Sequence, residues 1–168
     1  MTIAEFTATL NGEVFTLANG DLTSGCTDPD LSPSCMFELF YAHQSSDGVN
    51  SLVSLSADGD GGFETVELAS DIGDAHIGVL PNGTELFVVD GAGFFRIYNL
   101  STETFSEEIN IAAEAGNITG TPAAVSTPDG FLLVASSNRD RVYLVNPATG
   151  FATETGREIP VSGGDLVF

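Results

Sequence analysis

The sequence predicts an all-β fold, a β-propeller of four-stranded antiparallel blades with about 45 residues per blade. Three observations carry this. The chain matches itself without a gap at an offset of 47 residues: LPNGTELFVVDGAGFFRIYNLSTET (80–104) lies over TPDGFLLVASSNRDRVYLVNPATGF (127–151), placing Pro81 on Pro128, Gly83 on Gly130, Leu86 on Leu133 and Asn99 on Asn146. A period of this size marks stacked or radial repeats. Within each copy, short apolar runs are separated at intervals of about 10 residues by turn-forming Pro, Gly, Asn and Asp, the pattern of antiparallel strands. No segment carries a long apolar stripe at helical spacing, and IAAEA (111–115), the best helical fragment, is too short to hold a helix.

The elements follow in order. Residues 1–36 read as an N-terminal hairpin region and a cysteine loop. The first blade spans 37–73, with FELFYA (37–42), SLVSLS (51–56) and GFETVEL (62–68) as strands. The second spans 74–119: AHIGVL (75–80), a Pro-Asn-Gly turn, ELFVVD (85–90), FFRIYNL (94–100) and a polar fourth strand, TFSEEINI (104–111). The third spans 120–162: an apolar strand at 123–125, a Pro-Asp-Gly turn, FLLVAS (131–136), RVYLVN (141–146) and a polar strand ending near Val161. Residues 163–168, GGDLVF, align with AHIGV and read as the first strand of a further blade. A closed ring needs at least four blades. The expectation is therefore a partial or split propeller of about three to four blades, completed by further blades or by a second chain.

The repeat PDGFLLVASSNRDRVYLVNPATG (128–150), with PNGTELFVVDGAGFFRIYNLSTET (81–104), resembles the blades of the YVTN and NHL-type propellers. Those blades have a strand, a P-D/N-G turn, an apolar strand, and a V-x-V-x-[DN] strand closed by a T-G turn. The resemblance runs over about residues 37–168, while the YVTN tetrapeptide is absent and residues 1–36 match poorly. It implies a fold, not a ligand.

Charge bounds the partners. The 24 acidic residues against four arginines and no lysine give a net charge of −20. Phosphate contacts need clusters of Lys and Arg, so nucleic acid is excluded as a partner, and docking on anionic membrane is disfavoured. No run of 18 apolar residues is present to span a bilayer. The hydrophobic content of 42%, with 12 Phe and no Trp, is enough for a packed core.

Cys26 and Cys35 enclose TDPDLSPS, a turn-rich loop short enough to be stapled by a disulfide, and the spacing is not that of a zinc or thioredoxin motif. A disulfide implies an oxidising compartment, so the expected location is extracellular or cell-surface, in a bacterium. Met1 to Glu5 lacks the basic and apolar segments of a secretion leader. Asparagine sequons begin at Asn82, Asn99 and Asn117.

Candidate sites are few. Asp58, Asp60 and Glu64 sit on the glycine-rich stretch DGDGGFE, where alternate carboxylates could wrap Ca²⁺; the competing reading is a solvated hairpin turn. Asp28 and Asp30 form a weaker pair of the same kind. His76 lies on the AHIGVL strand, which in a propeller lines the central channel, along with Thr121 and Asp165 on the corresponding strands; a structural histidine is the alternative. His43 falls in a loop. The chain has no G-x-S-x-G, H-E-x-x-H or P-loop motif. The preferred expectation is a non-enzymatic propeller module, a binding or scaffold platform for protein or glycan. The alternative is a lactonase- or hydrolase-like propeller enzyme with a divalent cation in its channel.

Overall fold

The computed structural model describes residues 7–10, 13–16, 20–26, 37–43, 50–57, 63–73, 75–121 and 123–158. They are all-β, with no helix among them. They divide into two compact units, one up to Asp74 and one from Ala75.

The first unit holds β1 (Thr7–Leu10), β2 (Glu13–Thr16), β3 (Gly20–Cys26), β4 (Phe37–His43), β5 (Ser51–Ala57) and β6 (Phe63–Ser70) in one sheet of order β2-β1-β6-β5-β4-β3. From β3 to β6 this is an antiparallel meander. Its opening strand, Gly20–Cys26, lies upstream of the FELFYA run. The β1–β2 hairpin then extends the outer edge, with β1 running parallel to β6. Among the described residues, Phe40, Ala42, Leu52, Val53, Leu55 and Ile72 are its buried apolar side chains.

The second unit contains two meanders. The first is β7 (Ala75–Val79), β8 (Glu85–Asp90), β9 (Phe94–Asn99) and an outer strand in two pieces, β10 (Thr104–Phe105) and β11 (Ile109–Asn110), both paired to β9. The single polar strand expected over 104–111 is thus interrupted. The Ile97 amide donates to the Ser106 hydroxyl at 3.0 Å, and Ser106 N donates to Ile97 O at 2.8 Å, so this serine bonds β9 between the two pieces. The helix-like IAAEA is instead part of a small hairpin, β12 (Ala112–Ala113) with β13 (Gly116–Asn117). The last meander is β14 (Ala123–Ser126), β15 (Leu132–Ser136), β16 (Arg141–Val145) and β17 (Ala152–Glu158). The first strands of the two meanders adjoin: the Ser126 hydroxyl donates to Val79 O at 2.6 Å. These are four-stranded blades, and the architecture is that of part of a β-propeller.

Asparagine explains why the third strand of each second-unit blade ends where it does. Asn99 Oδ1 accepts from the Ser101 and Thr102 amides, and Asn146 Oδ1 accepts from the Ala148 amide. Each side chain thereby caps its own turn.

One expectation is corrected. The gapless match sets Leu86 on Leu133, but Leu86 pairs with Tyr98 and it is Leu132 that pairs with the equivalent Val145. The second strands are related by 46 residues, not 47. The cause is a compensating change in the flanking turns. In the first turn of the second-unit blades, the Leu80 amide closes on Glu85 O, whereas the Thr127 amide closes on Phe131 O, one residue sooner. In the next hairpin, five residues separate the paired Val89 and Phe95, and six separate Ala135 and Val142. Both second strands are apolar almost throughout, because a blade is covered on both faces. Alternation therefore could not reveal the slip.

The slip decides the packing. Phe87, Val89 and Phe95 leave one face of the first of these blades and meet Leu132, Val134, Tyr143 and Val145 of the next, with Ile111 and Ile118 of the connecting segment between them. This inter-blade layer is the core of the unit. On the opposite face of the same blade, Leu86, Val88 and Tyr98 are also buried, with 2% exposure or less.

Tyr98 packs edge-on to Phe105, ring centres 5.0 Å apart, and the Arg96 guanidinium lies 4.4 Å over the same Phe105 ring. Burial raises the Tyr98 phenol pKa above its ordinary value, with the Glu103 carboxylate a lesser cause. The sign follows. Above about pH 10 an unfolded tyrosine loses its proton while folded Tyr98 keeps it. Stability tied to this group is complete below that pH and is lost as pH rises toward the folded pKa. Urea titrations between pH 9 and 11 are expected to show a falling midpoint, with a shallower fall in Tyr98→Phe; an equal fall in both would assign it to other groups.

Candidate functional site

A concavity of the second unit lies between its two blades, on the side that carries the first- and third-strand turns. It is a cleft of about 580 Å³. Leu80, Ile97 and Ile109 give it an apolar floor, and Phe105, whose ring packs on Tyr98 across the sheet, borders it. One wall carries Glu85, Asn99, Thr102, Thr104 and Ser106, and the other is the Pro147-Ala148 turn of the following blade. A shallower extension of about 320 Å³ shares Leu80, Glu85 and Pro147 and continues past Asn82 to Pro128 and Asp129.

Each wall is positioned by local chemistry. Asn82 Oδ1 accepts from the Thr84 amide at 3.2 Å, and its Nδ2 donates to Glu85 Oε2 at 2.6 Å, which fixes the carboxylate at the lip. Thr102 and Thr104 share a hydroxyl–hydroxyl bond of 2.8 Å, and the Ser106 hydroxyl donates to Glu107 O. The opposite wall stands close because Gly150 lets it. Gly150 has φ of +72°, and a β-carbon there would lie 2.2 Å from Asn110 O. The Ala112 amide donates to Gly150 O at 3.0 Å across the same junction.

Three of the four arginines are engaged within the fold. Arg96 lies on Phe105, Arg139 donates to the carbonyls of Ala115 and Asn117, and Arg141 pairs with Glu154 at 2.9 Å. None of them lines the cleft.

The residues singled out in the sequence fall elsewhere. Asp58, Asp60, Asp28, Asp30, Cys35 and Asp165 lie outside the described residues. Glu64 is exposed on β6, its backbone between Ser56 and Thr9. Cys26 ends β3 opposite Phe37. His43 ends β4 opposite Gly20 and Ser51, on a strand and not in a loop. His76 is half-buried on β7, and Thr121 is buried with its hydroxyl donating to Asp90 O. Among the described residues, no three His, Cys, Asp or Glu side chains gather as a metal-holding group. Nor is any helix among them long and apolar enough to cross a membrane. The cleft itself escaped the sequence reading. Its signal was the turns at Pro81, Pro128 and Pro147, which read as punctuation until the blades are stacked.

No family model matches the chain, and no curated protein matches it. Among solved structures it is similar to a glutaminyl cyclase of Myxococcus xanthus, with TM-score 0.52 and 11% identity, over 83% of this chain and 54% of that one. It is also similar to a putative 6-phosphogluconolactonase of Bacteroides fragilis, with TM-score 0.47 and 16% identity, over 73% of this chain and 36% of that one. The chain thus spans about a third to a half of the length of these structures. At 11% identity the cyclase likeness shows the fold alone, a β-propeller.

Proposed function

We propose that this chain is a section of a YVTN/NHL-type propeller that acts as a non-enzymatic binding platform of a secreted or cell-surface protein. Its ligand-facing surface is the turn side and the inter-blade cleft. The observation that carries this is the composition of the cleft: an apolar floor, a rim of hydroxyl and amide groups, and rim hydroxyls engaged with one another and with backbone. Apolar concavities with a few placed polar groups are the usual form of a recognition site. A protein segment is the favoured occupant, with glycan as the other class.

The test is selection of randomised 12-residue peptides on the immobilised protein. Peptides are expected to converge on a consensus, with binding lowered at least about tenfold in Ala148→Trp, since the indole fills the cleft from an exposed turn. An unchanged thermal midpoint in that variant shows that the fold is kept. Consensus peptides that bind Ala148→Trp as well as wild type would remove the cleft from the reading.

A propeller enzyme with a divalent cation in the channel is the second reading. It takes its motive from half-buried His76 on a first strand and from the cyclase likeness. Turnover of a lactone panel that requires Ca²⁺ and disappears in His76→Ala would favour it over the binding reading.

A further inference from the structure

Resting on the binding reading, we propose that the cleft selects a basic, apolar peptide segment: Glu85 takes an arginine or lysine, and Leu80, Ile97 and Ile109 take the adjoining apolar side chain. Charge complementarity carries this. Among the described residues, Glu85 is the one ionisable side chain lining the main cleft, and the extension adds another carboxylate, Asp129. Glu85 is half-buried and already oriented by Asn82 at 2.6 Å. That bond uses part of the acceptor capacity of an ionised carboxylate, which has about four lone-pair sites. A guanidinium can therefore add to it without displacing Asn82. A half-buried, pre-oriented carboxylate loses less on binding than a mobile one, and hydrogen bonds between charged groups are the stronger kind.

The surroundings point the same way. The chain carries −20, a field that draws cations and repels acidic ligands. Arg96, Arg139 and Arg141 are turned to Phe105, to backbone carbonyls and to Glu154, so they do not neutralise the lip. Floor and lip lie on one cleft, which requires charge and apolar surface on neighbouring residues of the ligand.

The experiment is an amide-shift NMR titration of the whole chain at 150 mM NaCl, with N-acetyl-Arg-Leu-amide, N-acetyl-Gln-Leu-amide and N-acetyl-Glu-Leu-amide as probes. The shifts are followed at Glu85, Thr104 and Ile109. The arginine peptide is expected to bind about tenfold tighter than the glutamine peptide, the size of one charge-assisted hydrogen bond. Glu85→Gln is expected to erase that preference while the glutamine peptide binds as before. Glu114→Gln, which removes the same charge from an exposed turn, is expected to keep it. A preference that survives Glu85→Gln, or an acidic peptide that binds as well as the basic one, overturns the inference but leaves the binding reading standing. If none of the three peptides moves the cleft amides, both fall.

Discussion

Gly93→Ala is expected to lower the stability of the second unit by about 2–5 kcal/mol. Two costs add. Gly93 has φ of +91°, where an L side chain costs about 1–2 kcal/mol. A β-carbon there would also lie 1.7 Å from Ile118 O, and displacing packed backbone costs about 1–3 kcal/mol. The backbone has little room to yield. Ile118 is fully buried and its amide donates to Ile111 O at 2.8 Å, while the Ile111 amide donates to Gly93 O at 2.8 Å. Gly130→Ala is the control: φ is +83°, yet no atom lies within 4 Å of the added carbon. Its expected loss is about 1–2 kcal/mol. Urea denaturation of both variants separates backbone strain from the clash; equal losses would show that the Ile118 contact does not matter.

Phe87→Ala is expected to cost about 3–5 kcal/mol, the usual range for emptying a buried phenylalanine site. Phe87 has no exposure and sits in the layer between the two blades. Its ring lies over Gly78, where a β-carbon would come within 2.3 Å of it, so the ring occupies space left by a missing side chain. Leu133 occupies the corresponding position of the next blade and is only half-buried. Leu133→Ala is expected to cost about 1–2 kcal/mol, below the range for a fully buried leucine. Against a total of about 5–15 kcal/mol for a typical domain, the first substitution threatens folding and the second does not. Calorimetric midpoints decide the order, and a larger loss at Leu133 would reverse the assignment of faces.

The fold was legible because its signals are local. The Pro-Asn-Gly and Pro-Asp-Gly turns, the apolar runs at 85–90 and 131–136, and the closing Asn99 and Asn146 all act within a few residues of themselves. Register was not legible. Phe87 and Leu133 are equivalent only if the turn around Thr84 is known to be longer, and a gapless comparison cannot see that. The parallel pairing of β1 with β6 was missed for a related reason: Thr7–Leu10 and Phe63–Ser70 are far apart in sequence and neither carries a pairing signal. The cleft depends on Gly150 drawing Pro147 and Ala148 toward Ile109, a contact between blades that no single repeat encodes. Histidine and paired aspartates attracted attention because their chemistry is conspicuous, whereas Glu85 looked like an ordinary charge at a strand start.

The paired turn lengths also define where this gene could have been cut and rejoined. Exchange of residues 80–95 for 127–142 moves the short and long turns together, so every side chain keeps its side of the sheet. A crossover in the middle of the second strand at the gapless 47-residue alignment removes or adds one strand residue, and that shift turns the groups beyond it to the other face. Duplicated blades of this kind are therefore free to recombine at hairpin boundaries and penalised for recombining inside strands. The hairpin, and not the strand or the whole blade, is the smallest portion that such a lineage can trade intact.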